Sequence, residues 1–263
     1  MTTETTDRVY ALSQALGEAT GRAMEALDPA SKPAWKKVGT GSAGFCGDNS
    51  PLTQVAWLAY GSDFDPTELD VVEEFYRGRA AHWEYVVTPY ADPRLLSAVI
   101  QRGWTEVQYE NVMGRELRSA PETPPRDVEV RLVGEADRAT WADVAMRGFF
   151  GDTVPPGFEN LSALIVSTKG TVGFLAFIDG EPAGAATLIV HDKTCYLGGA
   201  ATLEQFRGRG AQTSLLNARL KHGYEQGCDL ALCECLPGTQ SQRNQERAEF
   251  HVLYTKIVLT RPR

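Results

Sequence analysis

The sequence predicts an α/β protein built as two domains, and three features predict it. Helical and extended segments alternate along most of the chain. A proline-rich stretch interrupts that alternation near the middle, and 263 residues exceed the usual size of one compact domain. Hydrophobic residues make up 43% and charged residues 23%, enough apolar material for two modest cores.

In the first half, 5–27 is rich in Ala and Leu, with Leu12, Leu16, Ala19 and Ala23 at three- and four-residue steps, which predicts a helix. From Trp35 the texture changes to glycines and short apolar runs, and 55–60 reads as a strand. Asp65-Pro66 opens a helix over 68–77, where proline gives up an N–H that has no partner in a first turn. A strand over 82–90 follows. Asp92-Pro93 then opens a helix carrying Leu95, Leu96, Val99 and Ile100, Gly103 stops it, and 104–117 is extended.

Ser119-Ala120-Pro121-Glu122-Thr123-Pro124-Pro125-Arg126 is the clearest linker, since three prolines in five residues continue neither a helix nor a central strand. The expected domains are therefore 1–118 and 127–263, joined by 119–126. The second half begins with a strand (128–133) and a helix (135–147). A loop with Phe149, Phe150 and Asp152, running to Gly157, leads to a short helix (158–167). Three apolar runs follow at 172–178, 183–190 and 194–203, and Asp179-Gly180 marks a two-residue hairpin between the first two. Next come a helix to about Gln226 with Leu216, Leu220 and Tyr224 on one face, a strand (229–236), a short helix (241–248) and a last strand (251–259). Meandering strands followed by a strand–helix–strand crossover give a mixed sheet.

Between the third run and its helix stands Arg207-Gly208-Arg209-Gly210-Ala211-Gln212. A helix N-terminus offers unpaired N–H groups and the positive end of the macrodipole, and glycines let a phosphate approach without a Cβ in the way. By local physics the turn is either a phosphate cradle or a plain helix start with two solvated arginines.

The run from Gly199 through Ala200, Ala201, Thr202 and Phe206 to Ala211 resembles the coenzyme A motif of the GNAT superfamily of N-acetyltransferases, Gln/Arg-x-x-Gly-x-Gly/Ala after a bulged strand. Arg207 matches its first position and Gly210 its first glycine, while Gln212 stands where Gly or Ala is usual. The order of elements from about 127 onward matches the same family, as does Pro237 to Phe250. The first half resembles a degenerate second copy, with Asp63-Phe64-Asp65-Pro66 in place of the glycine turn; two carboxylates there would repel a pyrophosphate. The resemblance thus implies two GNAT-like domains, each a mixed, mostly antiparallel sheet flanked by helices, the first non-catalytic.

It also implies an activity: transfer of an acetyl or acyl group from acetyl-CoA to an amine by direct attack, with no metal. The Arg207–Gln212 turn, including Gly208, Arg209 and Ala211, would hold the pyrophosphate. Backbone N–H groups near Ala200, Ala201 and Thr202 would hold pantetheine, and Ser241 and Asn244 would hydrogen-bond the cofactor. An alkyl amine has a pKa near ~10.4, so a base must take its proton. Glu234 on the strand at 229–236 is the first candidate and Asp152 the second. Many family members carry a tyrosine where this chain has Gln245, and a glycine where it has Glu249. A non-catalytic acyl-CoA-binding or regulatory module is therefore the alternative.

Charge and composition narrow the partners. Residues 1–125 hold 11 Lys+Arg against 18 Asp+Glu, and 126–263 hold 15 against 16. An acidic chain without a basic stripe is not expected to bind nucleic acid, so the expected partner is a small-molecule or protein amine. The start, Met1-Thr2-Thr3-Glu4, lacks signal-peptide character, and no window reaches the ~18–20 apolar residues of a membrane span. Five cysteines form no disulfide framework, so the expected location is the cytoplasm. Gly39 to Gly44 fits a Gly-x-Gly-x-x-Gly spacing, but no helix pattern follows, so it reads as a flexible loop. Cys233 and Cys235 alternate onto one strand face with no second pair, and read as buried thiols.

Overall fold

A computed structural model describes residues 3–30, 34–48, 50–121, 127–153, 155 and 161–262. The chain divides into two compact units, Met1–Met113 with Cys235–Arg263, and Gly114–Glu234. The expected linker lies largely outside the described residues, at 122–126. The division differs from the expected 127–263 domain, because the C-terminal segment belongs to the first unit. The pairing of the last strand explains it.

In the first unit, helix α1 (Thr3–Leu27) packs beside a hairpin of β1 (Trp35–Val38) and β2 (Gly41–Gly44). The glycines expected to be a flexible loop are therefore a hairpin. Gly39 takes a φ of +52° at its turn, and Gly41 lies so close to the 56–58 backbone that a Cβ would clash. Strand β3 (Gln54–Ala56) is shorter than the expected 55–60, because Trp57 and Ala59 both adopt a left-handed φ and leave the sheet. A crossover through α2 (Thr67–Tyr76) returns the chain to β4 (Glu84–Val87), parallel to β3. Helix α3 (Pro93–Gln101) is capped by Asp92, whose side chain accepts a hydrogen bond from the Arg94 N–H, and it leads into β5 (Glu106–Glu116). Helix α7 (Gln240–Arg247) and β12 (His251–Thr260) complete the unit. Strand β12 runs antiparallel to β4 with Val258 opposite Val86, and Tyr254 packs edge-on against Trp57 and Tyr90. Leu69, Val72, Val99 and the Tyr76–Trp83–Trp104 ring cluster form the core.

The second unit is a mixed sheet in the order β11 (Leu230–Cys235), β9 (Thr194–Tyr196), β8 (Glu181–His191), β7 (Thr171–Ile178) and β6 (Glu129–Leu132), with β10 (Ala200–Thr202) also on β8. Strands β6 (Glu129–Leu132), β7 (Thr171–Ile178) and β8 (Glu181–His191) form an antiparallel meander. The β7–β8 turn is Asp179-Gly180, both at positive φ (55° and 81°), as a tight hairpin requires. Helix α4 (Arg138–Phe150) runs three residues beyond the expected end and takes in Phe149 and Phe150, until Gly151 at φ +73° stops it. Of the expected helix 158–167, α5 (Leu161–Ser167) is present and 158–160 lie outside the described residues. Strand β9 (Thr194–Tyr196) pairs antiparallel with β8 and parallel with β11 (Leu230–Cys235), the crossover between β9 and β11 running through α6 (Ala211–Glu225).

Candidate functional site

The expected single strand over 194–203 is two strands, β9 and β10 (Ala200–Thr202), both laddered to β8. Their registers differ by one residue. Tyr196 lies opposite Ile189 and Ala200 opposite Ala186, so Leu197–Gly199 face only Thr187 and Leu188. This is a β-bulge, which bends the strand and re-aims its peptides. The Leu197 N–H donates to the Leu232 carbonyl at 2.8 Å. Beyond it β10 follows β8 and leaves β11, which opens a notch in the sheet beside Glu234.

Small residues let the neighbouring helix close on the bulge. A Cβ on Gly148 of α4 would lie 2.6 Å from the Ala201 Cβ, and one on Gly199 would touch the Phe149 ring at 3.4 Å. On the opposite face, a Cβ on Gly184 would meet Leu215 of α6 at 3.1 Å. The Thr202 Oγ1 is buried without a hydrogen-bond partner among the described residues.

After β10 a short 3-10 turn (Glu204–Phe206) buries Phe206 and delivers the chain to the glycine turn. Gly208 has φ +75° and Gly210 φ +90°, values that favour glycine. Gly210 is the N-cap of α6, and no side chain caps the helix there; its carbonyl accepts the Ser214 N–H at 3.0 Å. The first-turn N–H groups of Ala211 and Gln212 therefore carry the positive helix end. Gln212 is half-buried, and in a helix its amide is aimed as a glycine's would be. Arg207 is exposed, whereas Arg209 donates to the Asp179 carboxylate at 2.7 Å.

Glu234 is exposed on β11, and the Tyr196 hydroxyl donates to its Oε2 at 3.4 Å. Asp152 lies just past α4 with its side chain almost wholly in solvent, 3.9 Å from the Arg147 Nε. Ser241 and Asn244 sit on α7, in the other compact unit from the turn. Ser241 is exposed, and the Asn244 Oδ1 accepts from Gln240 and Arg247. Gln245 is buried with its Oε1 unpaired among the described residues.

Two residues near the bulge escape the sequence reading. Tyr196 is recognisable only once β9 and β11 are known to be neighbours. Arg219 was hidden by its charge: the buried face of α6 is Leu215, Leu216, Arg219, Leu220 and Gly223, and Tyr224, expected on that face, is 40% exposed. Cys195 and Cys233 are buried on the α6 side, next to Arg219.

In the first unit the corresponding crossover is closed by its own carboxylate. The Asp65 Oδ1 accepts the Thr67 N–H at 2.9 Å at the start of α2, and the backbone and side-chain hydrogen bonds of Thr67 hold its pKa below the usual range. Asp63 faces Arg94 at 3.3 Å.

A bulged strand, a glycine turn and a helix start within a mixed sheet define an acetyltransferase-type fold. Residues 139–251 match the profile of the acetyltransferase (GNAT) family, so the chain carries a GNAT domain. Solved structures of like fold include a GCN5-related N-acetyltransferase from Kribbella flavida, 19% identical over 94% of this chain and 97% of that one, with a TM-score of 0.64. A GCN5-related N-acetyltransferase from Sphaerobacter thermophilus (19% identity, 84% and 77% coverage) has a TM-score of 0.59. A tandem GNAT protein from the clavulanic acid biosynthesis pathway (13% identity, 87% and 83% coverage) also has a TM-score of 0.59. No curated protein matches the sequence.

Proposed function

We propose that this chain is an N-acyltransferase that moves an acetyl or related acyl group from acyl-CoA to an amine. The observation that carries the reading is the unblocked start of α6 at Gly210, placed directly after the bulged β10. Its first-turn amides and Arg207 suit a pyrophosphate. Pantetheine would then run along Ala200–Thr202 into the notch beside β11. The amine nitrogen attacks the thioester carbon, the C–S bond breaks, and the thiolate leaves with the pair. Bulge N–H groups stabilise the oxyanion, the largest catalytic contribution in such reactions.

Glu234 is the base in this reading, taking the amine proton directly or through water, with Tyr196 holding the carboxylate from the neighbouring strand. Asp152 is the second candidate, and its exposure makes it the weaker one. The first unit serves as a non-catalytic copy, since Asp65 occupies its helix start. Incubation with acetyl-CoA and a broad panel of amines should release free thiol in proportion to acylated product, and no release with any amine would contradict the assignment.

Gln245, which has no acidic proton to give a departing thiolate, favours a second reading: a module that binds acyl-CoA and does not turn it over. Saturable acetyl-CoA binding with no thiol release would establish that reading instead. The acceptor is an amine in either case where transfer occurs, and Phe149 over Gly199 gives its side of the notch an aromatic wall.

A further inference from the structure

Arg219 is fully buried in the second unit, and among the described residues no carboxylate pairs with it, its titratable neighbours being Cys195 and Cys233. Burial lowers its pKa to about 10, so the guanidinium is charged at neutral pH. An unpaired core charge is destabilising unless nearby dipoles compensate it, and here three carbonyls do so in part, while the buried Nη2 has no hydrogen-bond partner among the described residues. The Nε donates to Leu215 at 3.1 Å, and the Nη1 donates to Thr187 at 3.3 Å and Gly198 at 3.0 Å. Thr187 and Gly198 are residues of the bulge itself, where three residues face two. The guanidinium thus joins the two strands where the bulge interrupts their ladder.

We propose that Arg219 is a positioning residue for acyl transfer, one that fixes and polarises the Gly198–Gly199 peptide from inside the core. The inference rests on the acyl-transfer reading above. A trans peptide directs its C=O and N–H oppositely, and none of the peptides among the described residues is cis. With the Gly198 carbonyl drawn to Arg219, the Gly199 N–H is aimed away from it, and it has no backbone acceptor among the described residues. A cation on the carbonyl end makes the same peptide's N–H a stronger donor. A thioester oxygen accepting from Gly199 would therefore be held by an amide backed by a full charge. Packing fixes the peptide's place as well: a Cβ on Gly198 would lie 2.6 Å from the Thr187 Oγ1.

The test saturates wild-type, Arg219→Met and Arg219→Lys proteins with carbonyl-labelled acetyl-CoA and reads the thioester stretch by isotope-edited difference infrared spectroscopy. Wild type should lower the stretch relative to free acetyl-CoA. Arg219→Met should lose most of that lowering while binding CoA as wild type does, and Arg219→Lys should restore part of it. With a competent amine, kcat for Arg219→Met should fall by about tenfold or more, short of the ~10²–10³-fold lost when an oxyanion donor is itself removed. An unchanged stretch in Arg219→Met would overturn the proposal, as would parallel losses of CoA affinity and melting temperature with no spectral change. Should Arg219→Met not fold, Arg219→Gln, neutral but still able to donate to a bulge carbonyl, takes its place, and a wild-type stretch there overturns the proposal. Failure of wild type to bind acetyl-CoA would be a separate result, removing the acyl-transfer reading and this inference with it.

Discussion

The Arg209 Nη2 lies 2.7 Å from the Asp179 Oδ2, so one of the two arginines of the glycine turn is tied to the β7–β8 hairpin. Both side chains are largely exposed, and a pair of this kind adds at most ~1 kcal/mol to stability. Its consequence is for anion binding. Asp179→Asn keeps a residue type that tolerates the left-handed turn and frees Arg209 for phosphate. We expect the dissociation constant for CoA, measured by calorimetry at low salt, to fall by up to about fivefold. The gain should vanish near 1 M salt, where the screening length is ~3 Å. Weaker binding in the variant would show that the Asp179 contact orders the turn.

Glu234 and Asp152 offer carboxylates of different standing, one beside Tyr196 at the notch and one in open solvent. Glu234→Gln is expected to lower kcat by ~10²–10⁴-fold, the usual worth of a general base, with acetyl-CoA affinity retained. Asp152→Asn should cost less than about tenfold. Steady-state kinetics with one accepted amine checks both, and the reverse ranking would transfer the base role to Asp152.

The first unit contains a pH-sensitive carboxyl. Burial, reinforced by the charge of Glu110 and opposed by Lys256, raises the Glu84 pKa from 4.5 to about 7. Folded Glu84 therefore holds its proton more tightly than the unfolded chain does. The stability it contributes is present in full below its unfolded pKa and is lost as pH rises through the folded value. Glu84→Gln should accordingly raise the melting temperature relative to wild type at pH ~8 more than at pH ~5. Equal differences at the two values would mean that Glu84 is ionised throughout.

Much of the fold was readable because turn chemistry marks it. Pro66, the Asp92-Pro93 start, Gly103 and Asp179-Gly180 all stand where the structure begins or ends an element. Local patterns misled where backbone conformation opposed them: the apolar run at 55–60 breaks at left-handed Trp57 and Ala59, and a run of glycines forms the β1–β2 hairpin. The placement of β12 was illegible, since its partner β4 lies far away in sequence and nothing local encodes the pairing. At the candidate site the glycine turn was visible and the bulge came only from resemblance. Arg219 was missed because helical periodicity assigns a charged residue to the solvent face, and only the carbonyls of the bulge account for its burial.

In the proposed function the start of α6 binds the pyrophosphate of CoA. Gly210 holds φ +90° there, a conformation in which valine is strained and in which its side chain would crowd the approach. The most direct measurement is the dissociation constant for CoA, by titration calorimetry, of wild type and Gly210→Val, with circular dichroism confirming that both are folded. We expect saturable binding by wild type and loss of more than about tenfold in affinity in the variant, more than one neutral hydrogen bond is worth. Equal affinities in two folded proteins would contradict it.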